Sequence, residues 1–199
     1  MELEEYCGGR KFENGRPHRS SIIAQQKKEA MIKALKAGKD SDYLDVRVFP
    51  VKGRGIVVMK QFFKGDFVLE YSGELIEHRI AKIREEEYDR KDIGSFMYFF
   101  KYNDKRYCID ATYYHPRLGR LVNHSCVSSN LITRIIVVDG LPRLVFIACR
   151  NICLEEELLY DYGDRRKEVL AQNTWLSNGN NEYQDINTSS FCNLFNAVF

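Results

Sequence analysis

The sequence predicts a mainly β domain of the α+β class with short helices, preceded by an N-terminal helix. Three observations predict it. Asp139-Gly140 separates two apolar runs, the strongest hairpin signal in the chain, and Asn103-Asp104 separates another pair. The remaining apolar runs are strand-sized, and few segments carry helical periodicity. Nothing alternates strand and helix as a parallel βαβ sheet would.

The elements follow in chain order. Residues 1–19 hold Gly8, Gly9, Gly15 and Pro17 without periodicity and are expected to be disordered. Residues 20–39 form a basic helical segment: Ser20 or Ser21 can cap it, Ala24, Met31 and Leu35 share a face, and Gly38 stops it. Val46 and Val48 alternate with Arg47 and Phe49, a strand signal. Residues 50–55 read as a loop, and 56–59 and 67–71 as strands. Residues 76–91 read as a helix with Ile76, Ile80 and Ile83 on one face. Residues 96–102 and 105–110 form the first hairpin, and 131–138 and 141–149 the second. Residues 158–160 are a short strand, 165–171 a closing helical turn before Trp175. Residues 177–199, rich in Asn and Ser at first, are expected to be a flexible extension. The main domain then spans 40–176.

At 199 residues the chain can bury one core of its own, alone or with an arm. Charge supports the arm. Residues 10–39 carry nine Lys and Arg against Glu13 and Glu29, a net of +7, while residues 40–199 carry a net −2. A basic arm on a near-neutral domain suits a polyanion such as nucleic acid. No apolar run reaches the length of a membrane span, and the acidic start, MELEEYCGGR, is no secretory signal. Six Cys with no C-x-x-C predict free thiols in a reducing compartment and no metal site. Asn123-His124-Ser125 fits the glycosylation pattern, but without a secretory signal that match is set aside.

Three segments carry chemistry. Lys52-Gly53-Arg54-Gly55 lets backbone amides approach a ligand closely. Asn123-His124-Ser125-Cys126 is a polar run after an apolar pair. Leu159-Tyr160-Asp161-Tyr162-Gly163-Asp164 puts two Tyr two apart, which on a strand aims both phenols at one pocket. Each is weak alone. In this order and spacing they resemble the SET-domain protein lysine methyltransferases, over roughly residues 25–176, and within them the branch that monomethylates lysine 20 of histone H4. Gly65-Asp66-Phe67, Glu70-Tyr71, Met97-Tyr98, Asp110-Ala111-Thr112 and Arg117-Leu118-Gly119-Arg120-Leu121 add to the resemblance.

That resemblance implies a SET β-clip fold with a C-terminal pseudoknot, in which 123–126 meets 159–163. It implies S-adenosyl-L-methionine as cofactor, held by Lys52, Gly53, Arg54, Gly55, Phe96, Asn123, His124 and Trp175. Tyr162 would lie beside the transferring methyl as the catalytic tyrosine, with Tyr71 and Tyr160 at the amine end of the channel and Tyr98 among the substrate contacts. Phenol and carbonyl oxygens would orient the polarised methyl through weak C–H···O contacts. No side-chain base is required, because an apolar channel and a neighbouring cation both lower the amine's pKa from about 10.4. Tyr160, where a Phe would leave more room, implies a monomethyl product. The implied partners are the histone H4 tail and the nucleosome, with DNA contacted by the basic arm, in the nucleus on the chromosome, by a monomer with no membrane. Glu155, Glu156, Glu157 and Asp161 are expected to face a basic tail. Two further readings stay open on sequence alone: a SET methyltransferase for another protein lysine, and a non-catalytic SET-like chromatin-binding module. A plain basic DNA-binding protein lacks a helix-turn-helix or zinc pattern to support it.

Overall fold

The computed structural model describes residues 12–13, 16–17, 19–113 and 116–162. The chain forms two compact units, Met1–Lys39 and Asp40–Phe199.

In the first unit Phe12–Glu13 (β1) pairs antiparallel with Arg16–Pro17 (β2), a short ladder inside the stretch expected to be disordered. Helix α1 spans Arg19–Ala37 and buries Met31 and Leu35. Ser20 and Ser21 therefore lie in its first turn and not at its cap, because the helical hydrogen bonding starts one residue before the polar signal. Gly38 ends the helix at φ +63, a left-handed conformation that suits glycine. Its N–H reaches the Leu35 carbonyl at 3.2 Å.

The second unit is mainly β. Leu44–Phe49 (β3) and Gly53–Val58 (β4) form a hairpin whose ladder runs from Leu44↔Val58 to Phe49↔Gly53. The loop expected over 50–55 is thus shorter, because Gly53 at φ +75 returns the chain and lets pairing start at once. β4 supplies the buried face of this hairpin with Ile56 and Val58, while Val48 stays 79% exposed.

Phe67–Tyr71 (β5) pairs with Leu141–Ala148 (β11), which pairs with Leu131–Val138 (β10). Asp139 and Gly140 take φ 52 and 80 at that hairpin's tip. Asn123–His124 (β9) and Leu159–Tyr160 (β12) complete a five-stranded sheet in the order β5-β11-β10-β12-β9. β12 lies between β9 and β10 and runs parallel to both, so residues distant in sequence sit side by side, Tyr160 opposite Leu131 on one flank and His124 on the other. A second sheet, β6-β8-β7, holds Glu74–Glu77 (β6), Met97–Tyr102 (β7) and Lys105–Asp110 (β8).

Helix α2 spans His78–Arg90. The apolar face read from the sequence is corrected here: Ile76 belongs to β6, Ile80 and Ile83 are exposed, and Ala81 and Tyr88 are the buried residues. The helix therefore begins after Ile76, and its buried face has a different phase. The main core gathers Ile56, Leu69, Val122, Leu144, Phe146 and Leu158 around the junction of these sheets. Cys108, Cys126 and Cys149 are free thiols, as expected, but Cys153 is disulfide-bonded. No helix among the described residues is long and apolar enough to cross a membrane.

Candidate active site

Four tyrosines from three parts of the chain meet above Phe146. Tyr71 ends β5, Tyr98 lies on β7, Tyr160 ends β12 and Tyr162 follows it. Ring centroids are 5.6 Å apart for Tyr71 and Tyr98, 6.2 Å for Tyr98 and Tyr160, and 4.6 Å for Tyr160 and Tyr162. Phe146 packs beneath, 4.8 Å from Tyr160 and 6.3 Å from Tyr71. Tyr71 and Tyr160 are 5% and 6% exposed, whereas Tyr162 is 39% exposed and marks the open side of the cluster.

The hydroxyls differ in how they are held. Tyr162 donates to the Val122 carbonyl at 3.0 Å, and its backbone N–H donates to His124 Nδ1 at 3.1 Å. That bond makes Nδ1 an acceptor, so the buried imidazole carries its proton on Nε2. Tyr98 shares a 2.9 Å hydrogen bond with the Thr133 hydroxyl. The Tyr71 and Tyr160 hydroxyls have no hydrogen-bond partner among the described residues. Burial pushes the ionisation of both far up, and the neighbouring phenols add to it. Burial, with Glu157 second, pushes Tyr162 up to about 12. The cluster is therefore a set of neutral phenols.

A second group adjoins it. Asn123 Nδ2 donates to the Arg54 carbonyl at 3.3 Å and to Glu157 at 2.9 Å, and Glu157 accepts from Lys52 Nζ at 2.9 Å. The KGRG strand, the NHSC strand and the start of β12 are thereby tied together. Gly55 is needed for this closeness: a Cβ there would stand 2.6 Å from Asn123 Nδ2 and 2.7 Å from the Phe49 ring. Gly53, by contrast, is exposed at φ +75 with nothing within 4 Å of an added Cβ, which leaves open space against the backbone. Phe96 packs on the core cluster that contains Tyr71, with the Arg120 guanidinium 5.1 Å above its ring. Trp175 lies outside the described residues.

Buried polar residues brace both groups. Asn130, 0% exposed, accepts the Leu159 N–H at 2.9 Å and donates to the Glu157 carbonyl at 2.8 Å and to Glu156 at 2.9 Å. Arg117 joins Asp40 at 2.8 Å and Glu70 at 3.2 Å, beside Tyr71 in sequence, and Arg143 reaches Glu70 at 3.1 Å. Burial raises the pKa of Glu70 in spite of these two cations. Sequence reasoning missed Asn130, Glu157 as a brace, and this ion network. Glu155 pairs with Arg47, Glu156 with Arg150 and Glu157 with Lys52, so these carboxylates are engaged within the fold.

Three kinds of comparison agree on where this arrangement belongs. A family model described as "SET domain" matches residues 53–163. "Histone-lysine N-methyltransferase set-1" of Caenorhabditis elegans is 46% identical over 160 residues, 80% of this chain and 66% of the relative. "N-lysine methyltransferase KMT5A" of Xenopus tropicalis is 42% identical over 157 residues, 78% of this chain and 46% of the relative. "Histone-lysine N-methyltransferase Set8" of Drosophila melanogaster is 45% identical over 137 residues, 68% of this chain and 20% of the relative. The chain thus spans between a fifth and two thirds of the length of these relatives. A crystal structure of CpSET8 from Cryptosporidium superposes with a TM-score of 0.64 at 40% identity, covering 71% of this chain and 67% of that one. With the family match running from the glycine strand to the residue after Tyr162, this chain belongs to the SET-domain family.

Proposed function

We propose that this chain is an S-adenosyl-L-methionine-dependent protein lysine N-methyltransferase that monomethylates lysine 20 of histone H4 on nucleosomes, in the nucleus. The observation that carries the reading is the pair of buried phenols, Tyr71 and Tyr160, whose hydroxyls lack a partner among the described residues. Neither oxygen is among the fully buried polar atoms without a partner, so the phenol rings are buried while their hydroxyl ends reach accessible space. Two left open beside each other, and flanked by two that are satisfied, suit a substrate amine entering between them.

The residues present fit the cofactor. Open space against the Gly53 backbone suits a close-lying ligand, and Lys52 and Arg54 are cations suited to a carboxylate end. When bound, the cofactor supplies an electrophilic methyl group on a sulfonium centre. Lys52, Gly53, Arg54, Gly55, Asn123 and His124 would hold it, with Phe96 and Trp175 as the apolar contacts the family resemblance implies. The Tyr162 hydroxyl and the Val122 carbonyl present partial negative charge where a polarised methyl needs orientation. Tyr71 and Tyr160 hold the amine nitrogen in line, and Tyr98 fixes the wall behind them. The phenols stay protonated, so they position the amine and do not deprotonate it.

The test is incubation of recombinant nucleosomes with labelled S-adenosyl-L-methionine, followed by mapping of the modified lysine. Label on lysine 20 of histone H4 is expected. Label on another protein lysine moves the substrate assignment, and no transfer to any lysine favours a chromatin-binding module.

Product number provides a sharper check. The Tyr160 hydroxyl occupies space that a methylated amine would need. Tyr160→Phe removes only that oxygen, since the ring is locked between Phe146, Tyr98 and Tyr162. Mass spectrometry of a histone H4 peptide is expected to move from monomethyl product to mainly dimethyl product. Monomethyl product alone from both proteins would refute the role given to Tyr160.

The arm is a separate proposal. Lys27, Lys28, Lys33 and Lys36 all lie exposed on α1. Changing the four to Gln is expected to lower nucleosome methylation roughly tenfold or more at physiological salt, from lost phosphate contacts. Free-peptide methylation is expected to change little. Equal loss on both substrates would count against DNA contact by the arm.

A further inference from the structure

Two of the clustered tyrosines are held by different pieces of chain. Tyr71 ends β5, whereas Tyr162 is held by residues 122–124, through the Val122 carbonyl at 3.0 Å and His124 Nδ1 at 3.1 Å. Just before each piece lies a buried charge that the methyl-transfer reading does not use, Glu70 before Tyr71 and Arg117 before the segment that leads to Val122.

Asp40 clamps the start of that segment twice. Its carboxylate accepts Arg117 Nε–H at 2.8 Å and the Leu118 N–H at 2.6 Å. Arg117 Nη1 then lies 3.2 Å from Glu70 Oε2, and Arg143 Nε, from β11, lies 3.1 Å from the other Glu70 oxygen. The side chains of Asp40, Arg117 and Glu70 are 9%, 7% and 5% exposed, but that of Arg143 is 33% exposed. Solvent therefore screens the Arg143 pair far more than the Arg117 pair. Glu70 Oε2 is fully buried and makes no aligned hydrogen bond among the described residues. It is held by the charge of a guanidinium that Asp40 already aims. A buried carboxylate oxygen placed this way is costly and calls for a reason beyond packing.

Sterics point the same way. Gly119 lies directly on the backbone that carries Tyr71: an added Cβ would stand 2.1 Å from the Glu70 carbonyl oxygen and 2.8 Å from Tyr71 Cα. A single 3₁₀ turn, Gly119–Leu121, leads on from there, with Leu121 N–H donating to the Leu118 carbonyl at 2.8 Å and Val122 N–H to the Gly119 carbonyl at 3.3 Å. Val122 then offers its own carbonyl to Tyr162. One hydrogen-bonded turn thus joins the point that touches Tyr71 to the point that holds Tyr162. Packed so closely, it passes a shift on and does not absorb it.

We propose that Glu70 is a positioning residue for methyl transfer: by drawing Arg117 toward β5 it seats Gly119 against Tyr71 and so sets the spacing of the Tyr71 and Tyr162 phenols. This rests on the methyl-transfer reading. Glu70 touches neither amine nor methyl and acts through the backbone of residues 117–122. Arg143 shares its carboxylate but comes from β11, which makes it the natural control. Glu70→Gln (E70Q) keeps the shape and one acceptor oxygen. A carboxamide cannot accept from both guanidiniums, and its amino group faces one of them. Arg117 keeps Asp40 in that variant, so no buried cation is stranded.

The test compares E70Q and R143Q with wild type on a histone H4 peptide, with amide hydrogen exchange of the full chain as a second readout. In E70Q, kcat is expected to fall about tenfold or more, as a misplacement of under about 1 Å can cause. The KM for peptide is expected to change by less than about threefold. R143Q is expected to keep kcat within about twofold of wild type. Exchange at amides 118–124 is expected to rise about tenfold in E70Q and to stay within about twofold in R143Q, with α2 unchanged in both. A kcat for E70Q within about twofold of wild type overturns the proposal. Equal loss in E70Q and R143Q also overturns it, since any charge beside Glu70 would then serve. So does a loss of rate that matches a fall in the folded fraction, because Glu70 would then only stabilise the fold. If wild type transfers no methyl group while exchange over 118–124 rises in E70Q alone, the methyl-transfer reading fails and Glu70 stands as the residue that positions the two tyrosines. Unchanged exchange there overturns the positioning role as well.

Discussion

Replacing Asn130 with Ala is expected to destabilise the SET unit by about 3–4 kcal/mol. The side chain is fully buried and all its short-range bonds converge on the chain that enters β12. Its carboxamide oxygen takes the Leu159 N–H, and its nitrogen serves the Glu157 carbonyl and the Glu156 carboxylate. Its backbone adds two more ties, Asn130 N–H to the Leu159 carbonyl at 3.0 Å and Cys149 N–H to the Asn130 carbonyl at 2.9 Å. Those survive the substitution. What is lost is the partner of a buried backbone N–H and of a buried carbonyl, each costing about 1–3 kcal/mol when left unmade. Glu156 suffers less, since Arg150 still holds it. Urea unfolding should show the midpoint fall with an unchanged slope. A loss under about 1 kcal/mol would mean that water replaces the amide and that β12 is held chiefly by its ladder bonds. Because Tyr160 is paired through β12 to His124 on one side and Leu131 on the other, the same variant should loosen the tyrosine cluster.

Asn130 also illustrates what the sequence could and could not disclose. Both hairpins were legible because their tips demand left-handed backbone: Asn103 and Asp104 at φ 46 and 58, Asp139 and Gly140 at φ 52 and 80. The glycine strand, the Asn123-His124 pair and the two tyrosines after Leu159 were legible as an ordered set, through resemblance. Periodicity alone could not join them, because Tyr71, Tyr98 and Tyr160 reach one another from different strands. The face of α2 was misread for a local reason. Ile76 was counted into the helix, but β6 takes it to pair with Cys108, and the phase set from it exposes Ile80 and Ile83. Glu157 stood in plain view inside an acidic run, where charge gives no hint of a partner. Its link to Lys52 and Asn123 exists only once β12 is threaded beside β9.

Tyr162→Phe is expected to lower the rate of methyl transfer about 10²-fold, the scale on which one preorganised polar group beside a reacting centre acts. The substitution is conservative for the fold. The ring keeps its contacts with Tyr160 and His124, and the backbone N–H to His124 Nδ1 is untouched. Among the described residues the hydroxyl gives up its bond to the Val122 carbonyl, at about 1 kcal/mol of stability. The pH profile then decides what the oxygen does. With burial holding the phenol's pKa at about 12, roughly one molecule in 10⁴ carries phenolate at pH 8. A base so seldom ionised cannot account for turnover at neutral pH. The rising limb of rate against pH should instead follow the substrate amine, whose neutral form alone attacks. Wild type and Tyr162→Phe are therefore expected to give parallel profiles over pH 7–10, displaced by about two orders of magnitude, with the KM for peptide changed by less than about threefold. A profile that turns flat in the Phe variant would make the phenol the proton acceptor and would remove the positioning role from Tyr162. A large rise in KM with an unchanged maximal rate would shift its role from the reacting methyl to the binding of the peptide.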